Sequence, residues 1–332
     1  MLPYLWGEVM SVKATVFIPT LDGGEYFREV LTAVQAQETD FDFEVLVIDS
    51  KSRDGTACVA SEAGARVITI ERSEYNHGRT RNLGIQEARG EYVALLTQDA
   101  VPADSRWLQN LVTTMEEVPG TAGVYCRQIP RADADPFIRD RLSRWAATRD
   151  KRDVQEIADP EAFWSLGPME RLGCIAFDNV SSCVRKSVLA DHPFEERRFG
   201  EDVAWSLQVL LSGFRIVFEP SAAVVHSHNE GLWESFRRVY MDHQNLNQLL
   251  GFSLVSGWKD LIKNFWGGIG FYSRIVTDAE GLSCPTRLRW RLYGVPYGML
   301  QVLAQYMGPR SNRWRSRSRV FRWLDEMIVR RG

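Results

Sequence analysis

The chain has 332 residues, 45% hydrophobic and 25% charged, with a formal net charge of −3. That length suffices for one large core or two modest ones, and the composition excludes a disordered or fibrous protein. No uninterrupted apolar run reaches the roughly 18 residues expected of a spanning helix, so any membrane role is expected to be peripheral.

Charge is unevenly spread. Thr286–Gly332 holds eleven arginines, no lysine and two acids, Asp325 and Glu326, a net +9 against −12 for the rest. A basic end of this kind suits a phosphate-bearing partner, while a solvated helical surface is the plain alternative. The five cysteines (Cys58, Cys126, Cys174, Cys183, Cys284) form no close pair and no metal-ligand spacing. Their odd number, with a start at Met1–Met10 that lacks secretory character, is expected of reduced thiols in the cytoplasm.

Ala14–Thr20 reads as a short strand, stopped by proline and by Asp22-Gly23-Gly24. Glu25–Gln37 has helical spacing, with Phe27, Val30, Leu31 and Val34 on one face. Phe43–Asp49 is a second strand, followed by a turn at Ser52-Arg53-Asp54-Gly55 that opens a helix. Arg66–Ile70 and Tyr92–Thr97 are further strands, separated by a helix over Gly78–Ala88. This alternation predicts a Rossmann-like, doubly wound, mainly parallel sheet, with ligands outside the carboxyl ends of its strands, where Thr20, Asp49 and Asp99 fall. Residues 126–231 read as less regular. Beyond Leu232, helical stretches are expected to break at Gly267-Gly268, Pro285, Pro296 and Pro309. The simplest division is a catalytic unit over 1–231, in halves 14–125 and 126–231, with a helical extension over 232–332.

Two acidic sites carry the chemistry. Asp99, in Thr97-Gln98-Asp99-Ala100, ends a hydrophobic strand and offers a hard oxygen ligand suited to Mg²⁺ or Mn²⁺ on a diphosphate. Glu201-Asp202 opens a helix after Gly200. Acids there also complement the macrodipole, but adjacent carboxylates point apart, so one can act as base while its neighbour fixes the site. Asp202 is the favoured base, because an aspartate with an ordinary pKa near ~3.9 is ionised at neutrality without tuning. His226 and His228 end a strand with both imidazoles on one face, and either suits a metal. Asp49 is a candidate for a pyrimidine N–H, with Thr20 near the ribose; a turn or helix cap is its bland alternative. In Asn76–Asn82, Gly78 allows a close turn and Arg81 suits an acid or a phosphate.

Taken together, the order Ile18-Pro19-Thr20, Val47-Ile48-Asp49-Ser50, Ser52-Arg53-Asp54-Gly55-Thr56, Asp99, Glu201-Asp202 and His226 resembles the family 2 inverting glycosyltransferases. The resemblance spans roughly residues 14–251 and implies the GT-A fold. It implies Asp49 at the base, Asp99 and His226 on a divalent metal, and Asp202 as catalytic base beside Glu201. It places Pro19, Thr20, Asp54, His77, Arg81 and Gln98 in the nucleotide-sugar site. The segments Tyr75–Gly84, Thr97–Ala100 and Val225–His228 resemble the bacterial rhamnosyltransferases. The donor implied is dTDP-L-rhamnose, and the acceptor a growing, often lipid-linked, surface polysaccharide. A UDP-hexose or UDP-N-acetylhexosamine transferase of the same fold is the alternative; a non-catalytic nucleotide-binding scaffold would not need Glu201-Asp202 and His226. One departure stands out: the usual Asp-x-Asp motif is reduced to Gln98-Asp99-Ala100.

Arginine and aromatic residues interleave over Arg287–Tyr293 and Arg313–Leu324. Such segments suit an anionic membrane surface first, which would place the protein on the inner face of the plasma membrane. A homo-oligomer interface ranks second and nucleic acid last.

Overall fold

The computed structural model describes residues 12–145 and 149–329. Met1–Met10, and with them the reading of a leaderless start, lie outside the described residues, as do Arg330 and Arg331. Strands β1 (Ala14–Thr20), β2 (Phe43–Asp49), β3 (Arg66–Thr69) and β4 (Tyr92–Leu96) run parallel in the order β3-β2-β1-β4. Their near-continuous Val, Leu and Ile runs suit strands covered on both faces. Phe17, Leu46, Ile48 and Leu95 enter one buried cluster, while Val16, Ile18, Val47 and Ala94 enter another. Helix α1 (Gly24–Gln35) buries Phe27, Val30, Leu31 and Val34, the face its spacing predicts. Helices α2 (Thr56–Glu62) and α3 (His77–Glu87) complete this half.

The second half of the sheet departs from the parallel expectation. It is built from β5 (Val101–Pro102), β6 (Thr121–Ile129), β7 (Asp153–Gln155), β8 (Ser181–Arg185) and β9 (Arg215–Val225). The full order is β3-β2-β1-β4-β8-β6-β9-β5, with β7 also on β9. Strand β8 is antiparallel to both its neighbours, β4 and β6. Its sequence, Ser-Ser-Cys-Val-Arg, hides a buried strand because the serines are satisfied inside. Ser181 accepts from the Trp107 indole at 2.9 Å, and Ser182 donates to Asn179 at 3.0 Å. Around this half lie α4 (Trp107–Glu117), α5 (Pro136–Ser143), α6 (Pro160–Ser165), α7 (Pro168–Cys174), α8 (Lys186–Asp191) and α9 (Glu201–Leu211).

The remaining helices are α10 (Leu232–Leu250), α11 (Trp258–Asp278), α12 (Cys284–Met307), α13 (Ser311–Arg317) and α14 (Arg319–Val329). Pro285 starts α12 and Pro309 follows its end, as expected. Gly267-Gly268 and Pro296, however, lie inside unbroken helices. Gly268 meets Gly298 where α11 and α12 approach; a Cβ on Gly298 would sit 3.3 Å from the Gly268 backbone. Pro296 leaves the Leu292 carbonyl without an N–H partner, and both residues are exposed. The extension is not independent of the sheet. Leu246 and Leu250 of α10 join the sheet cluster, and Phe137 of α5 packs among Tyr272, Trp290, Tyr293 and Tyr297. No helix among the described residues is long and apolar enough to cross a membrane.

Gly84 lets α3 lie directly on β1, since a Cβ there would fall 2.5 Å from the Phe17 ring. Gly84→Ala is expected to destabilise the protein by about 1–3 kcal/mol, the usual cost of overpacking a core. A lower urea midpoint at unchanged slope checks it; an unchanged midpoint contradicts this packing.

Candidate functional site

The loops at the carboxyl ends of β1, β2 and β4 are sewn into one cluster. Asp49 is 1% exposed and takes a hydrogen bond from Thr20 Oγ1 at 3.0 Å and from the Ser52 amide at 2.9 Å. Asp54 accepts from the Gly24 amide at 3.0 Å, and the Gly23 amide donates to Thr56. Asp22, held at a φ of 47°, receives the Arg53 amide and the Arg72 guanidinium. Gln98 brackets the Leu21 backbone, accepting its N–H at 2.8 Å and donating to its carbonyl at 3.2 Å. Pro19, Thr20, Asp49, Asp54 and Gln98 therefore stand together, as the sequence suggested. Their polar atoms largely shape the loops. Direct contact between Asp49 and a base is not what this buried, loop-engaged carboxylate presents.

The Tyr75–Gly84 segment serves another part of the molecule. The Asn76 amide donates to the Arg197 carbonyl at 3.2 Å, and Asn82 exchanges two hydrogen bonds with the Phe194 backbone. A Cβ on Gly78 would meet the Glu195 carbonyl at 2.2 Å, which requires glycine there. His77 pairs with the Tyr75 hydroxyl at 2.9 Å. Arg81, assigned above to the nucleotide-sugar site, is instead buried against Glu201, each side chain 7% exposed. Fixed in that ion pair, it presents no free guanidinium to a phosphate. The whole segment clasps the chain that leads into α9.

Gly200, at a φ of 71°, starts α9 and turns its two acids apart. Burial alone would raise the Glu201 carboxyl, but the charges of Arg81 and His77 outweigh it and hold it low. Asp202 accepts from the Val203 amide at 2.8 Å and, weakly, from the Asn179 amide at 3.4 Å. Lost hydration, then the charges of Glu201 and Asp178, push Asp202 up to about 8. The expectation of an untuned aspartate is corrected accordingly: burial and neighbouring charge raise the Asp202 carboxyl well above an ordinary aspartate. A carboxyl so tuned is a stronger base once ionised.

The other acidic site forms where β5 pairs with β9. The pairing of Val101 with Val225 sets Asp99 against the residues just past β9. His226 Nε2 lies 3.6 Å and His228 Nε2 2.8 Å from the Asp99 carboxylate. Both imidazoles thus reach the same acid, so the geometry allows either or both to serve. Burial would raise the Asp99 carboxyl, but the His228 hydrogen bond and both imidazole charges bring it down to about 2. Burial lowers His226 to about 4 despite Asp99, which leaves it neutral and able to coordinate. One donor atom from each of Asp99, His226 and His228 lies within 4.8 Å of the others, so the three fit a single divalent ion. Two nitrogen donors and one oxygen favour a transition ion such as Mn²⁺ over Mg²⁺.

Residues that no sequence motif marks also surround this site. Arg131 donates to the Asp99 carbonyl at 2.8 Å, stacks 3.9 Å from the Tyr26 ring, and its amide bonds Ser227. Gln128 accepts from His226 Nδ1 at 3.2 Å and donates to Asp178, which also takes the Trp145 indole at 3.1 Å. That bond keeps the His226 proton on Nδ1 and aims the Nε2 lone pair at Asp99. Gln128 sits on β6 with Asp178 fifty residues later, so no spacing in the chain exposes the pair. Gln128→Leu is expected to weaken Mn²⁺ binding by about 10–100-fold. Calorimetric titration checks it; unchanged affinity contradicts the orienting role.

A sequence profile described as Glycosyl transferase family 2 matches residues 15–182. The chain is 28% identical over 315 residues to O-antigen chain rhamnosyltransferase RfbN of Salmonella typhimurium, covering 92% of this chain and 91% of that one. It is 29% identical over 312 residues to O-antigen chain rhamnosyltransferase WbaN of Salmonella anatum, covering 91% and 90%. Among solved structures, mannosyltransferase PcManGT from Pyrobaculum calidifontis, in complex with GDP-Man and Mn²⁺, superposes with a TM-score of 0.50 at 16% identity, covering 96% of this chain and 84% of that one. A mycobacterial protein superposes at 0.53 with 17% identity, covering 75% and 81%. The fold is that of the GT-A glycosyltransferases, and the chain belongs to glycosyl transferase family 2.

Proposed function

We propose that this enzyme moves L-rhamnose, with inversion, from dTDP-L-rhamnose to a hydroxyl of a growing, lipid-linked surface polysaccharide. The observation that carries the reading is the joining of the two acidic sites: Asp99 and its imidazoles reach Gln128, Gln128 reaches Asp178, and the charge of Asp178 acts on Asp202. Similarity over nine-tenths of the chain to two O-antigen chain rhamnosyltransferases supports the sugar and the acceptor class. A lipid-linked acceptor would place the enzyme on the cytoplasmic face of the membrane, docked through its C-terminal extension.

A bound divalent cation would neutralise charge developing on the departing diphosphate. Asp99, His226 and His228 would hold it, with Arg131 fixing the Asp99 carbonyl and the Ser227 hydroxyl. Asp202 takes the proton of the acceptor hydroxyl, which attacks the anomeric carbon from the face opposite the diphosphate. Glu201 stays paired with Arg81 and keeps its charge behind Asp202. Pro19, Thr20, Asp49, Asp54 and Gln98 shape the nucleotide pocket, and His77 acts through Glu201.

Asp202→Asn is expected to abolish transfer while dTDP binding persists, read by released dTDP and by thermal shift. Near wild-type turnover would sink the assignment. Because the Asp202 carboxyl is raised to about 8 and acts as a base, activity is expected to rise with pH through that region. An acid limb at ordinary carboxylate pH would contradict it. EDTA is expected to stop the reaction and Mn²⁺ to restore it better than Mg²⁺; activity indifferent to both would remove the metal from this site. Stabilisation by UDP but not dTDP would redirect the donor.

A further inference from the structure

The C-terminal arginines, expected to form the membrane surface, are partly committed inside the protein. Arg287 donates to the Val276 and Ala279 carbonyls, Arg310 to Val255 and Ser256, and Arg315 pairs with Asp325. Exposed apolar side chains stand on α14, at Val320, Phe321, Trp323 and Met327, and form longer stripes on α11 and α12. On α11, Trp258, Ile262 and Trp266 are 64%, 50% and 75% exposed and recur every fourth residue. On α12, Leu288, Leu292, Val295 and Met299 are exposed at spacings of four, three and four. Both sets form narrow stripes, because residues three and four apart share a helix face. The helices meet at Gly268 and Gly298.

Lys259, Lys263, Arg289 and Arg291 edge these stripes as exposed cations. The exposed acids of the hairpin, Asp278 and Glu280, instead line a 1010 Å³ cleft against α5. An apolar strip edged by cations complements a layer of acyl chains beneath anionic headgroups. A second copy docked about a twofold axis would bring the same cations together. We propose that the outer face of the α11–α12 hairpin docks on an anionic lipid bilayer, with Trp258 and Trp266 inserted at the headgroup boundary. The proposal takes its purpose from the lipid-linked acceptor in the reading above, while its geometry stands apart from it.

Co-sedimentation of the full chain with phosphatidylglycerol–phosphatidylcholine vesicles, and with phosphatidylcholine alone, tests the docking. Binding is expected to the anionic vesicles, weakening as salt rises. The Trp258→Glu/Trp266→Glu variant is expected to lose binding by about tenfold or more, since it removes two inserted indoles. Lys259→Gln/Lys263→Gln is expected to lose it partly and only at low salt. An unchanged circular dichroism spectrum and unchanged dTDP-rhamnose hydrolysis in solution would show that the tryptophan variant is intact. Undiminished binding by that variant, or equal binding to both vesicle types, overturns the proposal. So does a wild-type dimer that fails to bind vesicles and becomes a monomer on the tryptophan change. Hydrolysis of dTDP-rhamnose is read without vesicles, so a wrong donor assignment shows there and leaves the docking result separate.

Discussion

The buried ion pair of Arg81 with Glu201 is the constraint on which the catalytic half depends. Two charges withdrawn from water lose hydration that only close pairing recovers, so neither partner is free to turn elsewhere. The pair joins the helix after β3 to the first residue of α9 across 120 positions of chain. Asn82 and Gly78 make the same junction with backbone contacts, one through paired hydrogen bonds and the other by having no side chain. Because Glu201 is drawn inward, the next residue is turned another way. Its nearby charge then disfavours ionisation of Asp202. The pair thus helps turn Asp202 aside and, through the Glu201 charge, adds to the effect of burial on its carboxyl.

The antiparallel entry of β8 does the corresponding work for position. In a wholly parallel sheet, the start of each strand lies at the edge remote from bound ligand. Reversing β8 pairs Ser181 with Leu96, and the Thr97 amide bonds the Val180 carbonyl at 3.0 Å. Asp178 and Asn179 are thereby delivered beside the strand end that carries Asp99. Asn179 in turn meets Asp202, while Asp178 meets Gln128. Asp99 follows β4, the two histidines follow β9 and Asp202 opens α9, yet one edge of the sheet collects them.

The parallel half was legible because its strands are covered on both faces and therefore run continuously apolar. Helix α1 was legible because only one of its faces is covered. Strand β8 was not, since a buried serine satisfied by an indole looks like a loop residue in sequence. Residues in α11 and α12 misled for a related reason. Glycine and proline weaken a helix in isolation, but a glycine crossing gains close packing, and Pro296 leaves unpaired the carbonyl of Leu292, itself an exposed residue. Asp99, Asp202 and His226 could be picked out because each follows or opens a recognisable element. Arg81 was visible as a charge near glycine, but its partner lies 120 residues on, and spacing does not distinguish an acid from a phosphate. Gln128 carried no signal, since its role depends on the tautomer of a histidine in another strand.

The reduced metal motif follows from the same dependence on neighbouring strands. Gln98, beside Asp99, closes both hydrogen bonds of its amide on Leu21 and so holds the loop after β1. In place of a second carboxylate on that loop, two imidazoles from just past β9 stand beside Asp99. That exchange removes a negative charge and softens the donor set, so affinity shifts from Mg²⁺ toward transition ions. It also makes the site conditional on the fold. Asp-x-Asp would place both acids on one loop, whereas Asp99 and the histidines meet only when Val101 pairs with Val225. A metal bound there would depend on β5 and β9 having come together, and on the His226 orientation that Gln128 sets from a third strand. The loss of one aspartate therefore does not weaken the site so much as distribute it over the sheet.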